Sequence, residues 1–276
     1  MRGMESRAAD GRFSPAAVVR AAEADDVVAA VTFAAAGGHS YAGVSTASGT
    51  VIIDAQVISG WSGWLTAADR SQWADVSVDA DGNGSLDCWT QLICPAGTGD
   101  SAAAELTDAI GLRPLTLDTQ TLDHMDAVTA LAGGSPTSPR ASFTNGSDVV
   151  TELTSDAIGR ILEALTTFSR AGGTGWVQIN TLDGAIRDTS PDAAAFPWRS
   201  HAALVEWGAY QPISHEVALA WVTAAHRLFA PVSAGAYINY LEPGDALSRY
   251  YGGNYSRLAA LRRSIDPGAR IRTVLT

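Results

Sequence analysis

Two side chains suited to chemistry stand two positions apart in the stretch from Gly235 to Pro267: Tyr237 and Asn239, in the run Tyr237-Ile238-Asn239-Tyr240. Read as a strand, the alternation turns phenol and carboxamide to one face, about 7 Å apart, with Ile238 and Tyr240 on the other. A phenol held rigidly and surrounded by donors or positive charge can act as a general base. The same spacing also describes an edge strand whose polar face meets water, and spacing alone favours that reading. A second candidate is His39 in the glycine-flanked turn Gly37-Gly38-His39-Ser40-Tyr41. On its own it reads as an ordinary turn histidine.

Other chemistries are excluded or lack support. All 18 basic residues of the 276 are arginine, so Walker-type phosphate binding and Schiff-base catalysis, which need a lysine amine, are excluded. With 29 acidic residues the net charge is −11, which repels nucleic acid and anionic membrane. The one basic cluster, Arg262, Arg263, Arg270 and Arg272, is small. The five histidines (His39, His124, His201, His215, His226) show no metal-ligand spacing, and no metal is expected. Asp79-Ala80-Asp81-Gly82-Asn83-Gly84 resembles the start of a calcium loop. Its twelfth position is Thr90 and its flanks alternate like strands, so a β-hairpin with an Asn-Gly turn accounts for it better. Cys88 and Cys94 share a strand face about 20 Å apart, too far for a disulfide within that strand. No apolar run is long enough to span a membrane. Val27 to Ala36 lacks a basic leader and a cleavage pattern, so no signal peptide is read and a cytoplasmic location is the default.

The elements that must position these residues follow from periodicity. Residues 1–13 read as a disordered leader and Pro15 to Arg20 as an extended segment. A helix capped by Asp25 or Asp26 ends at Gly37, and Thr50 to Asp54 reads as a buried strand. Gly60 to Arg70 reads as a helix, and Trp73 to Val78 and Leu86 to Cys94 as strands. Ala102 to Ile110 is helical, Leu115 to Ala132 is helical in part, and Gly133 to Arg140 is a loop. Thr154 to Phe168 is an amphipathic helix, with Ile158, Ile161, Leu162 and Leu165 on one stripe. Strands follow at Trp176 to Asn180, whose Trp176, Gln178 and Asn180 share a face, and at Ala202 to Trp207; a helix covers Ser214 to Phe229. Strands and helices do not alternate one for one, which predicts an α+β fold, an antiparallel sheet covered by helices.

Three pieces, in order, carry a resemblance. Gly37-Gly38-His39-Ser40-Tyr41 resembles the R-S-G-G-H-S-Y loop of the berberine bridge enzyme-like family of FAD-linked oxidoreductases. Ala195-Phe196-Pro197-Trp198-Arg199, after Asp183-Gly184-Ala185-Ile186, is similar to that family's substrate-domain segment. Tyr237 to Tyr240, Tyr250-Tyr251-Gly252, Asn254-Tyr255 and Asp266-Pro267 look like its closing segment.

The resemblance implies a flavoprotein that takes a hydride from a hydroxyl-bearing or activated carbon of a small-molecule substrate. On the matching positions, the loop Gly37, Gly38, His39 and Ser40 meets FAD, with His39 as the covalent attachment point. Asn239 contacts the flavin ring, Tyr237 approaches the substrate as general base, and Asn180 stands at the substrate where some relatives place an acid. The chain departs from the family after Asp54: it passes almost at once to substrate-domain-like sequence at Gly60, and neither cysteine matches a cysteinyl attachment. The expected organisation is therefore a leader (1–13), a remnant of the FAD-binding domain (14–59), a substrate domain (60–234) and a C-terminal segment (235–276), both chain ends forming the truncated flavin portion. Most of the backbone N–H cradle for a flavin diphosphate is missing. The loss should uncover apolar faces on Val27 to Ala36, Val51 to Ile53 and the C-terminal helix, through which the chain could self-associate. Two classes remain: a truncated FAD-linked oxidoreductase, and a non-catalytic module that binds a small molecule without flavin.

Overall fold

The computed structural model describes residues 17–19, 49–131, 142–268 and 270. The expected leader, the helix before Gly37 and the loop Gly37, Gly38, His39 and Ser40 lie outside them.

In chain order the elements are β1 (Ala17–Val19), α1 (Gly49–Leu65), β2 (Trp73–Asp81), β3 (Leu86–Ile93), α2 (Gly99–Ile110), β4 (Pro114–Leu117), α3 (His124–Leu131), β5 (Phe143–Val150), α4 (Ser155–Arg170), β6 (Thr174–Thr181), β7 (Ala203–Tyr210), α5 (His215–Phe229), β8 (Ser233–Gly235), α6 (Ser248–Tyr251) and α7 (Tyr255–Ile265). The strands form one sheet in the order β4-β1-β3-β2-β6-β7-β5-β8, and every ladder is antiparallel. This is the α+β architecture read from the sequence.

One face of the sheet is apolar because alternate positions of its central strands are: Val76 and Val78 on β2, Val177 and Ile179 on β6, Val205 and Trp207 on β7, all fully buried. Four helices bury their own apolar stripes here. Along α4, Ile158, Ile161, Leu162 and Leu165 recur at helical spacing and are buried, and Thr154 caps the first turn by accepting from the Ala157 N–H. Along α1, Val57, Ile58, Trp61 and Trp64 do the same. Gly60 lets α1 meet α2 backbone to backbone: a Cβ there would lie 2.5 Å from Ile110 Cα.

The structure differs from the sequence reading at three places. Thr50 to Asp54 is helical, the opening of α1, and not a strand. Its β-branched residues suggest a strand, but the apolar positions continue at i, i+3, i+4 and i+7 to Trp64, and that longer period wins. Hence α1 runs unbroken through the expected boundary at residue 59. Secondly, β5 was not foreseen; Asn145-Gly146 within it reads locally as a turn, yet the strand pairs with β7 over its whole length. Lastly, Tyr237 to Tyr240 is not a strand. The ladder with β5 ends at Gly235, the Tyr237 N–H turns to Ser147 Oγ (3.0 Å), and Tyr240 N donates to Tyr237 O (2.9 Å), closing a 3₁₀ turn over Ile238–Tyr240.

The aspartate-rich loop is a hairpin between β2 and β3. Asp81 accepts from the N–H groups of Asn83 and Ser85 and from Ser169 Oγ (2.7, 3.0 and 3.0 Å), so its oxygens serve the turn.

Candidate functional site

The other face of the sheet is polar, and the register assembles it. Asp75 stands opposite Asn180 and Gln91, Ser77 opposite Gln178, Gln178 opposite Glu206, and Glu206 opposite Ser147. Residues paired across a ladder share a face, so two neighbouring polar rows form: Ser77, Gln178, Glu206 and Ser147 cross β2, β6, β7 and β5, and Gln91, Asp75 and Asn180 cross β3, β2 and β6 before giving way to Leu204 on β7. Each row holds one buried acid, Asp75 fully and Glu206 nearly so.

Asp75 accepts from Gln178 Nε2 (2.5 Å) and from the Gln91 N–H (3.2 Å). Burial raises its pKa to about 6, the two hydrogen bonds pulling part of the way back. Burial likewise raises Glu206, against the pull of Asn145 and Tyr240; Asn145 Nδ2 donates to Glu206 Oε1 at 2.8 Å. Tyr240 is in turn pushed upward by its own burial and by the negative charge of Glu206.

A raised carboxylate pKa means that stability present below the unfolded-state value is lost as pH climbs through the folded-state value. For Asp75 that window runs from about 4 to about 6. Asp75→Asn should therefore raise the melting temperature at pH 7 and leave it unchanged near pH 4, the Gln178 amide turning to complete the pair. Thermal melts at the two pH values check this; equal effects at both would overturn it.

Tyr237 and Asn239 are brought together, though not by strand alternation: Asn239 Nδ2 donates to Tyr237 Oη (2.8 Å) across the 3₁₀ turn. The turn is held against the sheet by aromatic contacts. Tyr237 packs edge-on to Phe196 (5.9 Å between centroids) and to Tyr240 (5.5 Å), above an apolar patch of Val149, Leu182, Trp198 and Leu204. Trp198 locks the two segments by donating from Nε1 to Ala236 O (2.8 Å). Its indole lies against Gly235, where a Cβ would come within 2.2 Å of the ring. The segments matched by motif, residues 195–199 and 235–254, thus meet in space.

Asn180 lies in the same row as Asp75, partly buried, as its strand position implies. His39 and its glycines fall outside the described residues and take no part in the geometry. Sequence reading missed Asp75, Glu206 and Tyr240 as site residues. The first two could have been found as acids on the polar phase of strands β2 and β7; Glu206 lies in a strand that was identified. Among the described residues, no group of three or more His, Cys, Asp or Glu is arranged to hold a metal ion, and no helix is long and apolar enough to cross a membrane.

Residues 236–269 match the family model described as Berberine and berberine like. No curated protein matches the chain significantly. Among solved structures, berberine bridge enzyme from Eschscholzia californica superposes with a TM-score of 0.64 at 19% identity, over 82% of this chain and 52% of its own. Chitooligosaccharide oxidase gives 0.64 at 16%, over 79% and 50%, and aclacinomycin oxidoreductase 0.64 at 17%, over 80% and 51%. The resemblance drawn from the motifs stands, and at these identities the structural likeness is a likeness of fold. The chain spans about half the length of the structures it matches.

Proposed function

We propose that this chain is the substrate-binding half of an FAD-linked oxidoreductase that oxidises a small hydroxylated substrate. The observation that carries the reading is the polar sheet face closed at one end by the Tyr237–Tyr240 turn, which lies inside the family-model match. The donor set suits a flavin: the half-exposed Tyr237 phenol and the Asn239 carboxamide beside it fit the edge of a flat ring rich in hydrogen-bonding groups, and the loop of Gly37, Gly38, His39 and Ser40 would supply the attachment through His39. When bound, the flavin supplies a hydride acceptor. The chain's own residues do the rest. Asn180 and Gln178 orient the substrate's hydroxyl groups from β6, Tyr237 approaches the reacting carbon, and the proton leaving the hydroxyl passes to a base on this face. Tyr237 and Glu206 are the two candidates for that base, the phenol by its place and the carboxylate by its raised affinity for a proton.

The test is the visible spectrum of the purified protein, before and after incubation with FAD. Yellow colour that stays with acid-precipitated protein and is lost in His39→Ala is the expected result. Tyr237→Phe should then slow flavin reduction by roughly 100-fold or more; an unchanged rate removes its role as base. A protein that stays colourless and takes up no flavin favours the second reading, a small-molecule-binding module without flavin.

The apolar face on the C-terminal helix is open: on α7, Leu261 is 53% and Ile265 67% exposed. We infer that this strip mediates self-association. Replacing both residues by glutamate should shift the sedimentation coefficient to that of a monomer; identical profiles for the two proteins would count against it.

A further inference from the structure

Two consecutive residues of β5 face opposite sides of the sheet. Ser147, on the polar side, holds the start of the Tyr237–Tyr240 turn through its Oγ. Asp148, on the helical side and buried, accepts four hydrogen bonds: from Trp207 Nε1 (2.9 Å), Ser233 Oγ (2.6 Å), Arg249 Nη2 (3.1 Å) and His226 Nδ1 (2.6 Å). His226 Nε2 reaches both oxygens of Glu242 at 3.0 Å. Arg249 donates to the Ser147 carbonyl (2.8 Å), to Glu242 (3.1 Å) and to Asp245. Tyr250 Oη closes the circuit, accepting from the Glu242 N–H and donating to Asp245 (2.9 and 3.0 Å). Glu242 lies two residues beyond Tyr240, so the turn is tethered at its start by Ser147 and just past its end by Glu242, and both tethers run to one network.

We propose that this network positions the candidate site: His226 bridging Asp148 to Glu242, and Arg249 bridging Ser147 to Glu242, set where the Tyr237–Tyr240 turn stands, and loss of the His226 proton releases it. The inference rests on the oxidoreductase reading for its catalytic meaning. Physically, a doubly donating imidazolium is the only form of His226 that serves both carboxylates at once. Burial disfavours that form, but the bonds and charges of Asp148 and Glu242 outweigh it and raise the pKa to about 9. The groups facing His226 are Asp148, Glu242 and Arg249, with Asp245 and Tyr250 behind them; Arg249 stays charged and Tyr250 is pushed up to about 12 chiefly by burial. A cleft of about 830 Å³ at the edge of β5, lined also by His215 and Arg227, opens onto the network and gives water a route to its proton.

Hydrogen exchange read by mass spectrometry on the intact chain tests this, with His226→Gln and Arg249→Lys as independent variants. At pH 7 the peptide spanning residues 236–242 should lose protection roughly tenfold or more in either variant, while α4 stays protected. In the unaltered protein the same peptide should lose protection, corrected for intrinsic rate, as pH rises through about 9, and in His226→Gln that pH step should be missing. Protection of 236–242 that does not change, or a loss shared equally by α4, overturns the proposal. Flavin reduction measured on the same variants separates the two readings. A loosened turn with an unaltered rate overturns the positioning role, whereas a protein that never reduces flavin fails the oxidoreductase reading while the exchange result still decides the tether.

Discussion

Asp148→Ala is expected to lower the stability of the fold by roughly 3–5 kcal/mol, the cost of removing one partner from a buried charged network. The side chain is 2% exposed and receives four donors from four different elements. Its loss leaves the Trp207 indole N–H unpaired in a fully buried position and takes from His226 and Arg249 an anion that helps offset their burial. In a chain of this size the melting temperature should fall by on the order of 10 °C. Urea titration and thermal melts check it, and a loss below about 1 kcal/mol would mean that water or a neighbouring group has replaced the carboxylate. The pH dependence carries a second signature. His226 has a folded-state pKa raised above its unfolded value, so its contribution is complete below about pH 6.5 and drains away as pH rises through about 9. The Asp148→Ala protein should lack most of that alkaline decline.

Glu206→Gln is expected to slow flavin reduction by roughly 10²–10⁴-fold if the carboxylate takes the substrate's proton. The replacement keeps the shape and keeps an acceptor for Asn145 Nδ2, so the fold should survive and the loss should fall on the rate. In the unaltered protein the rate should rise with pH as Glu206 ionises at a value lifted by burial; in Glu206→Gln that acid limb should vanish. Stopped-flow reduction across pH, beside Tyr237→Phe, assigns the base. If Glu206→Gln keeps the rate and Tyr237→Phe loses it, the phenol and not the carboxylate is the base.

The sheet was legible wherever periodicity was clean. Strands β2, β3, β6 and β7 and helices α4 and α5 follow from apolar positions at two- or 3.6-residue spacing. What failed were places where long-range packing overrides local preference. Gly146 sits in β5 because it faces Glu242 and Val222, with a Cβ there only 2.7 Å from each, and no local pattern announces that. Tyr237 and Asn239 were found as a pair but given the wrong backbone, since the event that ends the ladder is a hydrogen bond to Ser147, ninety residues away. The network of Asp148, His226, Glu242 and Arg249 left no spacing signal at all. Its members come from a strand, a helix, a loop and a short helix, and only the β5–β8 corner gathers them.

The sheet order has a consequence for how the chain is made. Strand β5 leaves the ribosome well ahead of β7, its principal partner, with α4 and β6 synthesised between them, and β6 then lies on the far side of β7 from β5. For that interval β5 is an unpaired edge, the kind of segment that invites pairing with another chain. Its Gly146 and the charge of Asp148 make it a poor template while it waits. The aspartate that anchors the finished corner thus also guards the nascent strand until its neighbour arrives.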